Sequence, residues 1–484
     1  MPKQIYVKYH KWEKKEMIEL FKTCTQHLDI DHCQLYIPIF ALFFYIHNTK
    51  LSHKIVDFKR RFYIKKITDI VKQKYYNSNI ILKGILYDSI KNINKSTEIF
   101  CKTISILDPM HCINNNYNKI ISRNQYLPSL YNYNTFHKIN SMDNTAYIDI
   151  FCSYIVGELV TQGLSPSFPI FYGCINGEKD YKYDITEDYY DLRVDKCFNK
   201  NIGKGFTIDI YLSDSDEDDT NDNESDSSNS SNSSNSTNSK YYEDDYIANI
   251  KKVPVQLLLI ENLDATLEDL IHDEGFTQEL LISGYFQITF ALLYMQKNYQ
   301  FTHNDLHINN IMYTSTTKKF LYYKINNIYF RVPTYGKIFK IIDFGRAIFT
   351  FKNKTYMNDV FSDQGEAGGQ YYYPSQVSFM NKRCKQKVSP NYNFDLCRLS
   401  TTVLDEIQNL DKNPLDDKAL QFIISMCLDK EGTNFCECED DFNLYINIAK
   451  NACHADPKDI INHSIFKNYR IKKKQFPKKS YYTL

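Results

Sequence analysis

The sequence predicts an α+β fold, rich in strands up to about residue 263 and richer in helix from about 264 onward. Three observations carry that expectation. Residues 253–263 (VPVQLLLIENL) form the short apolar run of a buried strand. Between Thr277 and Asn298, the residues Leu280, Leu281, Phe286, Ile288, Leu292, Leu293 and Met295 recur at spacings of three and four, dense enough for a largely buried helix. Residues 320–342 then divide into FLYYKI, IYFRV and KIFKII, short strands joined at Asn326-Asn327 and at Gly336.

Residues 1–75 are patterned enough to read as an N-terminal helical extension, with Tyr36 to Ile46 (YIPIFALFFYI) as its buried helix; that stretch is about half of what a bilayer crossing needs, so no membrane partner is expected. The opening MPKQIYVKYHKWEKKE lacks an apolar signal core, and the thirteen cysteines lack regular spacing. Together these predict reduced thiols in the cytoplasm. Cys436 and Cys438 have no matching Cys/His pair, so no zinc site is expected.

Composition changes most at residues 212–245, which hold almost no apolar side chain and read as a disordered acidic, Ser/Asn-rich insert. Helix and strand character before it, and the buried strand after it, indicate that it interrupts one folded unit. The serines preceding acids, Ser213 and Ser215 among them, are candidate acceptors for an acid-directed kinase. The chain has 484 residues, with 58 basic and 58 acidic, but residues 213–245 take eleven acids and only Lys240. The remainder keeps 47 acids and 57 bases, a surplus that favours an anionic partner such as a nucleotide, phosphoprotein or nucleic acid. Downstream, Asp395 opens a helical series through Leu396, Leu399, Val403, Leu404 and Ile407. Lys467 to Lys479 holds seven Lys/Arg and reads as a solvated basic tail, which offers a nucleic-acid contact but is not expected to make one.

Chemistry concentrates in His303-Asn304-Asp305-Leu306-His307-Ile308-Asn309-Asn310, followed at 343–345 by Asp-Phe-Gly at the end of KIFKII. This pair of motifs, H-x-D-x-x-x-x-N and then D-F-G with a buried helix before it and a hairpin between, resembles the catalytic and metal loops of protein kinases. Phosphoryl transfer needs a carboxylate to orient the attacking hydroxyl and cations to neutralise the β- and γ-phosphates. The resemblance therefore implies ATP and Mg2+, with Asp305 as base, Asn310 and Asp343 as metal ligands, and His303 as a structural brace. His307 stands where many serine/threonine kinases have a phosphate-steadying lysine, and Asn304 replaces the arginine that pairs with a phosphorylated activation loop. Asp395 resembles the aspartate that anchors the catalytic loop from a central helix.

The wider chain resembles a kinase-like family encoded by giant DNA viruses, in which F-x-K-x-x-x-L-x-D-P precedes a long insertion and N-x-A-Y-x-D. Here these are Phe100-Cys101-Lys102 to Leu107-Asp108-Pro109, and Asn144-Thr145-Ala146-Tyr147-Ile148-Asp149. The resemblance implies Lys102 as the nucleotide lysine and Asp149 as its helical acid. Glu158 competes, since nine residues at about 100° each set it opposite Asp149 on one helix; Pro166 soon after it favours Asp149. Lys138 is a weaker rival to Lys102. A phosphate-covering loop should hold three glycines, yet only Gly84 precedes Lys102 nearby. At the hinge, Glu261 to Leu263 would offer backbone groups to adenine, with Ile260 beside the purine. The usual A-P-E ending after Asp-Phe-Gly is missing.

These resemblances imply a bilobal protein-kinase-like fold: the helical extension over 1–75, a sheet-rich lobe over 76–263 broken by the insert, a helical lobe over 264–466 and the basic tail over 467–484. The activity implied is transfer of the ATP γ-phosphate to a protein hydroxyl of Ser or Thr, in a host cytoplasm or a virion if the chain is viral. Two alternatives stay open: a small-molecule kinase, and a catalytically silent nucleotide-binding scaffold.

Overall fold

The computed structural model describes residues 4–44, 56–73, 79–114, 127–129, 137–211, 244–363, 365–373, 388–438 and 441–484. It is a mixed α and β chain built on antiparallel sheets. Strand β1 (Tyr9–Lys11), helix α1 (Lys14–Leu28) and strand β2 (Asp31–Gln34) come first, and β3 (Val56–Phe58) pairs with β1. The long strands β4 (Phe62–Gln73), β5 (Asn79–Asp88) and β6 (Ile93–Ser105) follow, then helix α2 (Thr145–Thr161) and strands β7 (Phe171–Asp184), β8 (Phe206–Tyr211) and β9 (Asp245–Glu261). They form a seven-stranded sheet in the order β2-β7-β9-β6-β5-β4, with β8 also on β9.

Both faces of this sheet are covered, and β9 shows how. Leu257 and Leu259 pack with Leu20, Cys24 and Leu28 of α1, whereas Leu258 and Ile260 pack with the core that contains α2, as period-two alternation requires. Helix α2 begins at Asn144, whose side chain accepts from the Ala146 N–H while its amide donates to the Ile106 carbonyl at 2.7 Å. Gly157 lets α2 touch the start of β7, since a Cβ there would lie 2.7 Å from the Phe171 nitrogen.

The second half opens with β10 (Ala265–Thr266) and helix α3 (Gln278–Tyr299), buried along nearly its whole length. Strands β11 (Ile311–Ser315), β12 (Phe320–Ile325), β13 (Ile328–Pro333) and β14 (Lys337–Ile341) follow. The expected hairpin at 320–342 is present, with Asn326 and Asn327 at positive φ in the tight turn and Gly336 at φ 81°. A three-stranded sheet, β10-β11-β14, holds the 303–310 loop at one end of β11 and residue 343 just past β14. Strands β15 (Phe349–Phe351) and β16 (Lys354–Tyr356) make a small hairpin. Helices α4 (Phe394–Gln408), α5 (Asp417–Met426) and α6 (Asp441–Asn451) complete the helical part.

Several expectations are corrected. Residues 1–75 are not a helical extension: among the described residues they hold one α-helix and four strands, of which β2 and β4 belong to the main sheet. The expected helix at Tyr36 to Ile46 is a single 3-10 turn, Pro38–Leu42, with residues 45 and 46 outside the described residues. The part from 264 to 466 is not helical throughout, because strands β10 to β16 lie between 265 and 356. The basic end is not a free tail. β17 (Arg470–Ile471) pairs with β13 and β18 (Tyr482–Thr483) with β12, while Phe476 packs on Tyr322 and Tyr329. The insert at 212–245 lies outside the described residues up to 243; its flanks pair directly, Tyr211 opposite Asp245, so the chain leaves and rejoins one sheet. Among the described residues no helix is long and apolar enough to cross a membrane.

Candidate active site

Three elements bring the predicted residues together. Lys102, near the end of β6, extends its ammonium to Asp149 Oδ2 on α2 at 3.0 Å and to Asp343 Oδ1 after β14 at 2.8 Å. Asp149 is 1% exposed and also accepts from the Ser153 hydroxyl at 3.2 Å and the Phe344 N–H at 3.3 Å. Burial alone would push Lys102 down, but Asp149 and Asp343 outweigh it and hold the ammonium charged. Burial pushes the Asp149 carboxyl up against the pull of Lys102. Asp343 goes the other way: burial opposes, but Lys102 holds its carboxyl down at about 2. The rivals are elsewhere. Glu158 faces Gln162 on the far side of α2, and Lys138 pairs with Asp359.

Backbone bonds fix the two loops against each other. The Ile342 N–H donates to the Asn310 carbonyl at 3.0 Å, one residue before Asp343. His303 Nε2–H donates to the Ile342 carbonyl at 2.8 Å, which makes His303 the expected brace. Asp343 takes φ 62° and Asn304 φ 64°, left-handed conformations that cost ordinary residues energy. Phe344 fills a buried slot among Phe168, Phe301 and His303.

Asp395, at the start of α4, anchors the 303–310 loop from within. It is fully buried and accepts from the His303 N–H at 3.1 and 2.9 Å and from the Asn304 N–H at 2.9 Å. Burial raises its carboxyl, with His303 and these N–H donors pulling against that. Asp395→Asn would turn one acceptor into a donor facing a buried N–H. The expected cost is about 2–3 kcal/mol, read as a lower denaturant midpoint at unchanged slope; an unchanged midpoint would contradict the anchor.

The Asn310 amide is oriented by two acceptors. Its Nδ2 donates to the Asp305 carbonyl at 2.8 Å and to His307 Nε2 at 2.9 Å, which leaves Oδ1 as the outward acceptor. A neutral His307 is required, since a protonated ring would place donor against donor. Burial lowers the His307 pKa below the ordinary 6.5, and the Asp305 charge only partly offsets this. Any activity that depends on Asn310 is therefore expected to fall at a pH below that of an ordinary histidine. A rate profile with His307→Phe losing that acid limb is the check.

Asp305 is about a quarter exposed, and its Oδ1 accepts from the Tyr445 hydroxyl of α6 at 2.6 Å, with Arg346 Nη1 at 3.9 Å. Sequence reasoning missed Tyr445, for which no spacing offers a signal, and Arg346, which directly follows the Asp-Phe-Gly motif. It also missed Lys340 on β14. That buried ammonium donates to the Phe168 carbonyl at 2.9 Å and to Glu261 Oε2 at 2.8 Å, and Glu261 also accepts from the Ile170 N–H at 3.1 Å. Glu261 ends β9 and Leu263 lies two residues beyond it, with Ile260 buried opposite Phe100, two residues from Lys102.

Gly84 is a correction. It lies within β5 opposite Thr97, about 17 Å along the strand from the Asn79–Lys102 pair at 3.3–3.4 Å per residue. A side chain there would strike Ile99 and Ile64, so the glycine serves strand packing. The connection between β4 and β5, residues 74–78, lies outside the described residues, and its sequence KYYNS contains no glycine.

Asp343 and Asn310 Oδ1 are hard oxygen donors on adjacent backbone, a set that suits Mg2+, which takes one or two protein ligands and completes its shell with water and phosphate. Among the described residues no group of three or more His, Cys, Asp or Glu side chains is placed to hold a metal by itself. No protein-family model matches the chain, and no curated protein matches it.

Proposed function

We propose that the chain is a protein kinase with a bilobal kinase-like fold, transferring the γ-phosphate of ATP to a Ser or Thr hydroxyl of a protein. The observation that carries this reading is Lys102 held between Asp149 and Asp343, three residues far apart in sequence and supplied by three elements. In this reading Lys102 binds the α- and β-phosphates and Asp149 aims it. Asp305 orients the acceptor hydroxyl and takes its proton, while Ile260 and the backbone from Glu261 to Leu263 hold the adenine. Asn310 and Asp343 would hold Mg2+, which when bound neutralises charge on the β- and γ-phosphates. Asp395 and His303 keep both loops in register. The kinship with a kinase-like family of giant DNA viruses belongs to the same proposal, as does a site of action in host cytoplasm or virion.

The test is incubation of the purified chain with Mg2+ and γ-labelled ATP, with and without added casein. Label on protein hydroxyls is the expected result. Nucleotide-dependent thermal stabilisation without label in any product would overturn catalysis and leave a silent scaffold. Label that reaches only a small metabolite would replace the protein substrate with a small-molecule one.

A further inference from the structure

The group sitting on Asp305 is itself a hydroxyl. Tyr445 Oη donates to Asp305 Oδ1 at 2.6 Å, the position and bond that the kinase reading assigns to an acceptor about to be phosphorylated. The Tyr445 ring on α6 packs on Phe394, with centroids 5.8 Å apart, while its hydroxyl extends beyond that contact to Asp305. The helix is anchored by Leu444 and Ile448, both buried, while Tyr445 is only half-buried and reaches across to the loop. Two guanidiniums flank its ring, Arg398 at 4.9 Å and Arg346 at 5.6 Å. Apart from Asp305 Oδ1, 3.9 Å from Arg346 Nη1, neither has a close, buried carboxylate partner among the described residues. Arg346 reaches Glu366 at 3.5 Å, where the acid is 78% exposed, and Arg398 donates to the Thr401 hydroxyl at 3.3 Å.

Resting on the kinase reading above, we propose that Tyr445 is an intramolecular phosphate acceptor, and that its phosphorylation clears the catalytic carboxylate for other substrates. Tyr445 Oη forms the new bond to the γ-phosphorus of the nucleoside triphosphate. The bond from that phosphorus to the β,γ-bridging oxygen breaks, the phenolic proton passes to the Asp305 carboxylate, and nucleoside diphosphate leaves. The phosphotyrosine then carries close to two negative charges beside Asp305, which repels it. Arg346 and Arg398 are the cations positioned to receive it, and Arg is suited to pair with phosphate through two parallel hydrogen bonds. Tyr445 thus covers the base in the unmodified chain and uncovers it after one turnover.

The experiment maps phosphorylated residues by mass spectrometry after incubation of the full chain, freed of phosphate beforehand, with Mg2+ and ATP. Phosphate on Tyr445 is expected, absent in Asp305→Asn, and formed at a rate independent of protein concentration because donor site and acceptor share one chain. Phosphorylation of added casein should show a lag that disappears when the chain is pre-incubated with ATP, and Tyr445→Phe should lose the lag. Phosphate on serine or threonine but none on Tyr445 overturns this proposal and leaves the kinase reading standing, whereas no phosphate anywhere overturns both. A rate proportional to protein concentration overturns the intramolecular step. Thermal stabilisation by a non-hydrolysable triphosphate should be equal in wild type and Tyr445→Phe; its loss in the variant would make the tyrosine a structural pin and overturn the proposal.

Discussion

Asp305→Asn is expected to lower phosphate transfer by roughly 10²–10⁴-fold, the range for loss of a positioned general base. The substitution is nearly isosteric, and an amide oxygen still accepts the Tyr445 hydroxyl, so the fold has little reason to change. The contacts of the Asp305 backbone carbonyl with Asn310 survive too. What disappears is the negative charge that draws a proton from the acceptor. In the proposed reading nucleotide binding rests on Lys102, Asp343 and the end of β9, none of which touches the altered oxygen, so a thermal shift with ATP should match that of the parent. A variant that transfers phosphate at the parent rate would remove Asp305 from the chemistry and with it the proposed mechanism.

Lys102→Met should reduce both activity and stability. Its ammonium is the main charge partner of Asp149, which is 1% exposed and would be left with one hydroxyl and one N–H. Breaking a buried pair by removing one partner costs about 3–5 kcal/mol; because Lys102 is 25% exposed the lower figure is expected. Asp343 is 40% exposed, so water takes over most of its solvation and it adds little to that loss. The double variant Lys102→Met with Asp149→Leu should regain most of the stability without regaining transfer, since a well-packed apolar pair replaces a buried ionic one at little cost. Denaturant melts of the two variants, with the transfer assay beside them, are the measurement. A single variant as stable as the parent would show that the Lys102–Asp149 contact contributes nothing.

The same residues show what a sequence reveals and what it hides. Asp305, Asn310 and Asp343 were legible because short loops, each tied to a strand, fix their spacing. Lys102 and Asp149 needed the resemblance as well; helix geometry set Asp149 and Glu158 on opposite sides without choosing between them, Pro166 favoured Asp149, and the fold points Asp149 to Lys102 and Glu158 to Gln162. β4 was not legible. Its pairing with β5 shifts register at Ile64/Lys66, Ile67/Asp69 and Ile70/Lys72, and each irregularity resets the alternation by which a strand is recognised. Gly84 stands as the phosphate-loop candidate only because the resemblance asks for a glycine-rich loop before Lys102 and no other glycine is near, while its place in β5 depends on Ile99 and Ile64 across the sheet. The basic end was taken for a tail because its charge outweighed the few apolar residues, Ile471, Phe476 and Tyr482, that dock it. Tyr445 reaches Asp305 from a helix 140 residues later, a contact that only folding creates.

The Lys340 ammonium ties together the carbonyl of Phe168, the carboxylate at the end of β9 and, through β14, the segment carrying Asp343. Any rotation that parts the large sheet from the helices beyond it must either strip this buried cation of its partners or turn about it as a pivot. Stripping leaves a charge without compensation, so the pivot wins. Points near a pivot barely travel, and those at the far rim travel most. In the proposed kinase reading, the purine would sit at the end of β9, beside that pivot, where such a rotation displaces it least.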